Sequence, residues 1–571
     1  MPPVLHNPGH RRLALVVMAV SLILALVPAV AVTRHLLWPF DLDAFRDVAA
    51  AQAMRDGSWS GDPFYAGEHA WYTPLVPALV ALVSGVLHQP VALVAVRSGP
   101  WLNLLGAIAF GAAAWRLIGP PAALFATIAF LFVPAHPPAW AAGTYTPWLF
   151  PGLVGQAVLY VGLILCRRLV RSGPYRIAIA IGGLIGVAFL AHAAYGVLLA
   201  ATFTLAAGTA SFVHLASLGG GSAAIAPKAL RRASPKPGQG REDPPLRDMA
   251  ALRTVAGAPG RNPLPAIAIA AAVAIVIVAP FFWPLITRYH LHTLNRAPAT
   301  WPYTPGYPAA IIATLRWPMT WPFAVLAVAG GVTLARRRDA GVIVLWSWGA
   351  AALVLSACSL AATWYPSWPP LVPAYHFEYQ VRAWGWMLVG AGTWSILALV
   401  AERTSAGARG RAALLATTAL ISIALLYPRY LQRPAFRQAA AAARAIGARS
   451  DRLITGWIRA STPRDAVFLA SSDDSLLIVA PAGRHVVAVD APFSNPYVDY
   501  NARRAARDAM FAAIDAHDWD RFRSQAARYG VTFVLAHGQR ASALLAAPPL
   551  AIAYGTADAV IVRVTRGSDT R

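Results

Sequence analysis

Long apolar segments recur along this chain, and most of the charged residues lie in the stretches between them. A run of about 17 to 25 apolar residues is long enough to cross the hydrocarbon core of a bilayer as a helix. The pattern therefore predicts a mainly α-helical membrane protein. Its eleven predicted spans lie near residues 13–33, 99–117, 120–135, 147–166, 175–191, 194–214, 263–285, 318–335, 341–361, 383–401 and 411–427.

One further apolar segment, 74–88, decides the topology. It has about fifteen residues with two prolines, which is short for a span and typical of an interfacial or re-entrant helix. Cytoplasmic loops are enriched in Lys and Arg. Without a span at 74–88, the loops on the side of the N-terminus carry 21 of these residues and the opposite loops carry 8. We therefore predict a multi-pass protein of the plasma (inner) membrane, with a cytoplasmic N-terminus and an outer C-terminus.

After residue 427 the pattern changes to short apolar runs that alternate with helix-like stretches. This alternation is typical of a small α/β domain. We predict a membrane domain over 1–427, with a first outer loop at 34–98 and a cytoplasmic linker at 216–262, and an extracytoplasmic α/β domain over 428–571. In the α/β domain, strands are predicted at 465–471, 485–489, 531–536 and 559–564, and helices at 440–460, 502–515 and 518–529.

The composition supports a membrane protein, because the 571 residues are 57% hydrophobic and 13% charged, with a mean hydropathy of +0.52. Soluble domains average about 25% charged residues. Much of the net charge of +24 reflects topology, since it is concentrated on the predicted cytoplasmic side. The basic linker 216–262 has no aromatic residues to stack on bases, so we interpret it as a disordered connection rather than a nucleic-acid or partner site.

Sequence motifs exclude several classes of protein. The two cysteines, Cys166 and Cys358, are too few for a disulfide framework or a structural zinc site. The chain has no HExxH, GxxxxGK[ST] or GxGxxG motif, so nucleotide chemistry in the cytoplasm has no support.

The first outer loop holds six of the seven acidic residues that we assign to outer loops: Asp41, Asp43, Asp47, Asp56, Asp62 and Glu68. Asp41 and Asp43 directly follow the first span, where a carboxylate can meet both a lipid headgroup and a substrate from water. We interpret Asp47 and Asp56 as solvated loop acids that cap a helix over 44–56. The Asp41/Asp43 pair is therefore the candidate for chemistry.

The residues around this pair resemble the polytopic membrane glycosyltransferases of the C superfamily (GT-C). The first 170 residues carry the resemblance best, and a many-helix body with an outer α/β domain is also similar to that group. The shared features, in order, are the carboxylate pair, Phe45, an amphipathic helix, Gly57-Ser58-Trp59, Asp62-Pro63-Phe64-Tyr65, Trp71-Tyr72-Thr73-Pro74-Leu75 and Val96-Arg97.

The resemblance implies an enzyme that moves one sugar from a polyprenyl-phosphate donor to a glycan, glycolipid or protein acceptor of the cell envelope, at the outer face of the bilayer. Three departures from the family pattern matter. Leu42 separates acids that are adjacent in many members, so either acid could be the aligned one. The WWD-type signature of oligosaccharyltransferases is absent. The acidic residue that many relatives have between spans three and four is also absent, which leaves a Mg²⁺ or Mn²⁺ site open.

An inverting transfer of this kind needs a base and a partner for the leaving phosphate. Asp41 or Asp43 fits the base, because a carboxylate near the bilayer can take the proton of the attacking hydroxyl. The phosphate needs cationic hydrogen-bond donors. For donor-phosphate binding we predict Arg382, His376, Arg288 and Arg296, with Arg382 as first choice and a snorkelling arginine as the alternative. For acceptor binding or support of the first loop we predict Asp62, Tyr65, Glu68, His69, Tyr72 and Glu378.

Other features leave alternatives open. We interpret His192, near a helix end, as structural. In the outer domain, Asp473, Asp474, Asp490 and the segment 491–500 are candidates for an acceptor groove, with loop and capping chemistry as the alternative. A flippase for lipid-linked saccharides and a non-catalytic envelope assembly protein are the rival functions. The spans hold few charges at mid-depth and show no internal repeat, which favours an enzyme over a transporter.

Overall fold

The computed structural model describes residues 8–133, 144–222, 264–300, 321–337, 339–364, 372–373, 375–442, 447–545 and 550–564. Most of the predicted linker 216–262 lies outside these ranges. We number the helices of eight or more residues. Those of the membrane part are α1 (Pro8–Thr33), α2 (Leu42–Arg55), α3 (Leu75–Leu87), α4 (Val91–Leu117), α5 (Pro120–Phe132), α6 (Pro151–Ser172), α7 (Tyr175–Ala191), α8 (Ala193–Ser222), α9 (Leu264–Tyr289), α10 (Trp321–Ala335), α11 (Ala340–Trp364), α12 (Tyr375–Arg403) and α13 (Ala408–Leu431).

Eight of the described helices are long and apolar enough to cross a membrane, namely α1, α4, α6, α8, α9, α11, α12 and α13. Four shorter apolar helices accompany them, and three of these, α5, α7 and α10, coincide with predicted spans. The chain is an integral membrane protein. The predicted fold class, a mainly α membrane protein with a C-terminal α/β domain, is confirmed.

The fourth short apolar helix, α3, is the segment 74–88 that decided the topology. Its 13 residues extend about 20 Å, which is less than the hydrocarbon thickness of a bilayer. The helix ends at His88, which adopts a left-handed conformation with φ 54° and donates its backbone N–H to the carbonyl oxygen of Ser84. This length agrees with a segment that does not cross the membrane.

Helix α12, which carries several predicted site residues in its first turns, packs closely against α10 and α5. A Cβ atom added at Gly330 of α10 would clash with the carbonyl oxygen of Leu388 in α12. One added at Gly390 of α12 would clash with the carbonyl oxygen of Ala122 in α5. Small residues allow such approach between membrane helices. The position of α12 is therefore fixed by backbone contact with α5 and α10.

The C-terminal domain, which we call the outer domain after its predicted location, contains a five-stranded sheet that follows α14 (Pro434–Ala442) and α15 (Gly447–Ser461). The strand order is β2-β1-β3-β5-β4. Strands β2, β1 and β3 are parallel to one another, β5 is antiparallel to β3, and β4 is antiparallel to β5. The elements are β1 (Val467–Leu469), β2 (His485–Val486), α16 (Tyr500–Asp515), α17 (Trp519–Arg528), β3 (Val531–His537), α18 (Gly538–Leu545), β4 (Leu550–Gly555) and β5 (Ala559–Val564).

The first outer loop packs directly against this domain. Phe45 and Ala49 of α2, with Phe64 and Tyr65 of the following loop, share one buried cluster with side chains of the outer domain such as Ile478. Because apolar burial is the main favourable term in folding, this cluster fixes α2 between the membrane helices and the sheet. The acidic start of α2 is thereby placed at the junction of the two parts.

Candidate active site

Asp41 begins α2 as its N-cap. Its Oδ1 accepts a hydrogen bond from the backbone N–H of Asp43 at 3.0 Å, which satisfies one of the free donors of a helix start. Burial, followed by the negative charge of Asp43, raises the pKa of Asp41 to about 7. The Asp41 carboxyl group therefore exchanges its proton near neutral pH.

Arg46 lies between the carboxylates of Asp43 and Asp47. Its Nη1 donates to Asp43 Oδ1 at 2.8 Å, and its Nε and Nη2 donate to Asp47 Oδ1 at 3.0 and 2.9 Å. The guanidinium also lies 3.8 Å from the centre of the Tyr72 ring, a cation–π contact. The three charged side chains together carry one net negative charge, which is held beside an aromatic ring.

The interpretation of Asp47 as a solvated acid is wrong. Asp47 is 8% exposed, because it lies beside residues such as Val96 of α4 and Trp148 instead of solvent, and burial raises its pKa to about 6 although Arg46 opposes the shift. A buried carboxylate needs a close counter-ion. Arg46 supplies that counter-ion, so Asp47 stabilises the arginine rather than the helix end.

A cavity of about 510 Å³ opens beside Asp43 and Arg46, and its volume is within the range of small-molecule sites. It lies between the outer ends of the membrane helices and the outer domain. Its walls include Trp71, Tyr72 and Thr73 from the first loop, Phe150, Phe189, His192, Phe281, Phe282, Leu285, Tyr375 and His376 from the membrane part, Asn295 and Arg296 after α9, and Pro492, Phe493, Pro496 and Tyr497 from the outer domain.

A second, smaller cavity of about 40 Å³ adjoins the first. Asp41, Asp43 and Asp47 line it, together with apolar residues such as Phe40 and Trp148. Asp43 therefore contacts both cavities, whereas Asp41 lines only the small one. Of the two acids that the sequence left as alternatives, Asp43 has access to the larger space.

The predicted phosphate-binding residues separate into two groups. His376 and Arg296 line the large cavity with Asp43. Arg382 does not line the cavity. It follows His376 by six residues, which is about 9 Å further along α12, and it is buried there. Its guanidinium nitrogen atoms have no hydrogen-bond partner among the described residues. Arg288 is 45% exposed and pairs with Glu68, with 3.2 Å between Nη2 and Oε2.

Asp62 connects the first loop to the outer domain. Its Oδ1 accepts hydrogen bonds from the backbone N–H groups of Phe64 at 2.7 Å and Tyr65 at 3.1 Å, and its Oδ2 accepts one from Asn495 Nδ2 at 2.8 Å. Asn495 Nδ2 also donates to the carbonyl oxygen of His69 at 3.0 Å. Asp62 is 1% exposed, and this burial raises its pKa to about 6. Asp62 and the backbone of His69 thus support the first loop.

Tyr65 and Glu68 extend the same contact surface. The Tyr65 hydroxyl group is hydrogen-bonded to Ser494 Oγ at 2.8 Å, and burial raises the pKa of Tyr65 to about 12. Glu68 Oε2 accepts a hydrogen bond from the Tyr289 hydroxyl at 2.7 Å. Tyr289 in turn stacks on Tyr497 of the outer domain, with ring centroids 5.1 Å apart. These contacts join the first loop, α9 and the outer domain above the cavity.

The remaining predicted residues have different surroundings. Tyr72 lines the large cavity, whereas Glu378 is buried in α12 away from it. In the predicted acceptor groove, the segment 492–497 reaches the cavity. Asp474 pairs instead with His537, at 3.2 Å between Oδ1 and Nε2, and Asp490 is hydrogen-bonded to Ser472.

Replacing Asn495 with Ala is expected to lower the free energy of unfolding by about 1 to 3 kcal/mol, because two buried acceptors lose their donor. Asp62→Ala is expected to cost a similar amount. The double variant should cost less than the sum of the two, since both changes remove the same hydrogen bond. Chemical unfolding of the four purified proteins measures this coupling, and strictly additive losses would contradict the contact.

A divalent cation does not fit between the carboxylates beside the cavity, because the Arg46 guanidinium lies between Asp43 and Asp47. Across the ranges that the structure describes, no three His, Cys, Asp or Glu side chains are grouped to hold a metal ion. We derive no catalytic step through Mg²⁺ or Mn²⁺.

Sequence reasoning missed Arg46 and treated His192 as structural. Arg46 follows Asp43 by three residues, a spacing that places two side chains on one helix face. That spacing was a usable signal. His192 reaches the cavity at the start of α8, which packs against α12, and no local pattern indicates this contact.

Comparisons with known proteins concern the fold. No protein-family model matches the sequence, and no curated protein matches it. Among solved structures, ArnT from Cupriavidus metallidurans in the apo state aligns with 96% of this chain and 97% of its own, at 14% identity and a TM-score of 0.52. The chain has the same fold as this ArnT structure.

Two other solved structures align at lower TM-scores. ArnT from the same organism, bound to undecaprenyl phosphate, aligns with 97% of this chain and 98% of its own, at 15% identity and a TM-score of 0.49. The oligosaccharyltransferase of Archaeoglobus fulgidus, tethered to an acceptor peptide, aligns with 91% of this chain and 69% of its own, at 13% identity and a TM-score of 0.46. At these identities the likeness is one of fold, so the function must be argued from the site.

Proposed function

We propose that this protein is a membrane glycosyltransferase that moves one sugar from a polyprenyl-phosphate donor to a cell-envelope acceptor at the outer face. One observation carries the proposal. Asp43 and Arg46 form one wall of a 510 Å³ cavity whose other walls come from the membrane helices and the outer domain. Such a cavity suits a donor with an apolar tail and a polar head. The fold shared with the apo ArnT structure and the motif resemblance around Asp43 agree with it.

In this proposal Asp43 is the catalytic base. The hydroxyl oxygen of the acceptor attacks the anomeric carbon, and its proton passes to the Asp43 carboxylate. The bond between the anomeric carbon and the phosphate oxygen breaks on the opposite face, and its electron pair stays with the polyprenyl phosphate. Arg46 orients Asp43 through the 2.8 Å hydrogen bond, and Asp41 holds the backbone of Asp43 at the start of α2.

The leaving phosphate is assigned to Arg296, one of the two predicted phosphate-binding residues in the cavity wall. An arginine suits this role because its fork of N–H donors matches phosphate oxygens. The polyprenyl chain is assigned to the apolar side formed by Phe189, Phe281 and Phe282 of α7 and α9. The acceptor then approaches past the segment 492–497 of the outer domain.

Purified protein in liposomes, given radiolabelled undecaprenyl-phosphate sugars, distinguishes the proposed function from its rivals. Hydrolysis of the donor, or transfer of its sugar to an added acceptor extract, supports the glycosyltransferase. Translocation of intact donor without bond cleavage supports a flippase, which is the second function suggested by the sequence. A protein that does neither acts in envelope assembly without catalysis, and the proposal is then wrong.

Replacing Arg296 with Gln is expected to raise the Kd for undecaprenyl phosphate about 10- to 100-fold, because a charged hydrogen bond contributes about 1.5 to 3 kcal/mol. Arg288→Gln is the matched control, since Arg288 lies in the same region but pairs with Glu68 outside the cavity. Calorimetric titration in detergent measures both. Equal Kd values for the wild type and Arg296→Gln would exclude Arg296 as a phosphate-binding residue. Phosphate binding by Arg382 stays a prediction that the same titration tests.

A further inference from the structure

Two histidines from distant parts of the chain meet in the wall of the large cavity. His192 lies at the junction of α7 and α8, and His376 lies in the first turn of α12. Their ring centroids are 4.2 Å apart. His192 is 5% exposed and His376 is 4% exposed. Both line the cavity that Asp43 lines. The two residues are 184 positions apart in the sequence, so their contact depends on the fold and not on a local motif.

Each ring has a nitrogen atom without a protein partner. The Nδ1 atoms of His192 and His376 are buried and have no hydrogen-bond partner among the described residues. Leaving a buried polar atom unpaired costs about 1 to 3 kcal/mol. Both rings line the cavity, so a bound molecule that reaches these atoms would gain hydrogen bonds that the described residues do not supply.

The charge state of the pair limits what it can bind. Burial, followed by the positive charge of Arg46, lowers the pKa of His192 to about 3. A neutral imidazole has one nitrogen that donates and one that accepts a hydrogen bond. Hydroxyl groups match this combination, because each can both donate and accept. A phosphate, which only accepts, is better matched by the arginine in the same cavity.

Aromatic rings surround the two histidines. The Phe150 ring is stacked on His376, with an interplanar angle of 11° and ring centroids 6.2 Å apart. The ring centroid of Tyr375 lies 4.1 Å from that of His376. Tyr72 meets His192 edge-on at 6.5 Å. Aromatic faces pack against apolar surfaces while polar groups between them fix orientation. A sugar ring has apolar C–H faces and a polar hydroxyl edge, so it matches this arrangement.

We propose that His192 and His376 together bind hydroxyl groups of the transferred sugar and so set the donor specificity. The inference rests on the proposed function, and it adds the substrate group that the pair recognises. The histidines are specificity-determining residues in this account, and the proton transfer remains with Asp43. Their removal should therefore change which donors are used more than it changes the reaction itself.

The test compares kcat/KM for radiolabelled undecaprenyl-phosphate mannose, glucose, arabinose and an amino sugar, and then for the monodeoxy analogues of the best of these. The wild type is expected to prefer the parent sugar over one deoxy analogue by about 100-fold or more, since a site built for a hydroxyl group rejects its absence. In His192→Phe and His376→Phe this ratio should fall about 10-fold or more, because the phenyl ring keeps the volume and loses both nitrogen atoms.

His376→Gln should restore part of the preference, because its amide both donates and accepts hydrogen bonds. His10→Phe is the matched control, since His10 is buried in α1, its ring nitrogen atoms have no hydrogen-bond partner in the described part of the chain, and it does not line the cavity. It should leave the ratio unchanged. The inference would be overturned, and the proposed function left standing, if kcat/KM fell equally for the parent and all deoxy sugars. The same holds if the ratio were unchanged in both Phe variants. Failure of the wild type to use any donor would overturn the proposed function and the inference with it.

Discussion

Replacing Asp43 with Asn is expected to lower kcat for sugar transfer about 10³-fold, within the usual range for loss of a general base. Asn keeps the size of the side chain, and its carbonyl oxygen can still accept the hydrogen bond from Arg46. It cannot take the proton of the attacking hydroxyl. The KM for the donor should change little, since Asp43 acts on the acceptor. Initial rates with a radiolabelled undecaprenyl-phosphate sugar measure both constants.

Asp41→Asn is the matched control for this variant. Asparagine is as good an N-cap as aspartate, so α2 should keep its start and kcat should stay within about 10-fold of the wild type. If Asp41 were the base instead, the wild-type kcat would fall as the pH drops through about 7, because the base must be deprotonated and the pKa of Asp41 is about 7. An inactive Asp41→Asn beside an active Asp43→Asn would exchange the two assignments.

Replacing Arg46 with Met is expected to destabilise the protein by about 3 to 5 kcal/mol, the usual cost of leaving a buried charge without its partner. Asp43 and Asp47 would then face each other in a buried position with no counter-ion. The contact with the Tyr72 ring would also be lost. The midpoint of chemical unfolding of the purified protein in detergent measures the effect.

Asp47→Asn tests the origin of this loss. The single change leaves Arg46 with Asp43 and should cost less than Arg46→Met. The double variant Arg46→Met/Asp47→Asn should regain part of the stability, because one of the two unpaired carboxylates is gone. If Arg46→Met unfolds at the same denaturant concentration as the wild type, Arg46 is not the counter-ion that holds the start of α2.

The sequence predicted the elements whose pattern is local. The spans, the short helix α3 and four of the five strands follow from apolar runs and their length. Strand β4 was missed, because Leu550–Gly555 is an edge strand whose residues are mostly exposed or half-buried and show no clear alternation. Of the predicted helix over 440–460, the described residues 440–442 and 447–460 are helical, in α14 and α15.

The candidate site was only partly predictable. The position of Asp43 beside the membrane followed from the end of the first span, so a carboxylate in this place was expected. Asp47 is buried where distant segments, such as Val96 of α4 and Trp148, line a small cavity with it, and this packing cannot be obtained from the sequence of α2. The same is true of Arg382, which looked suitable as a charge before a span but lies inside α12, away from the cavity. Contacts between distant segments decided these outcomes.

The central claim is that the 510 Å³ cavity binds a polyprenyl-phosphate donor with Asp43 at the reacting carbon. A cryo-electron microscopy structure of the protein with undecaprenyl phosphate tests it most directly. The account predicts the phosphate in this cavity, about 3 Å from a nitrogen atom of Arg296, with Asp43 as the nearest carboxylate and the lipid chain along Phe281 and Phe282. A phosphate bound outside this cavity, for example at Arg382, would contradict the account.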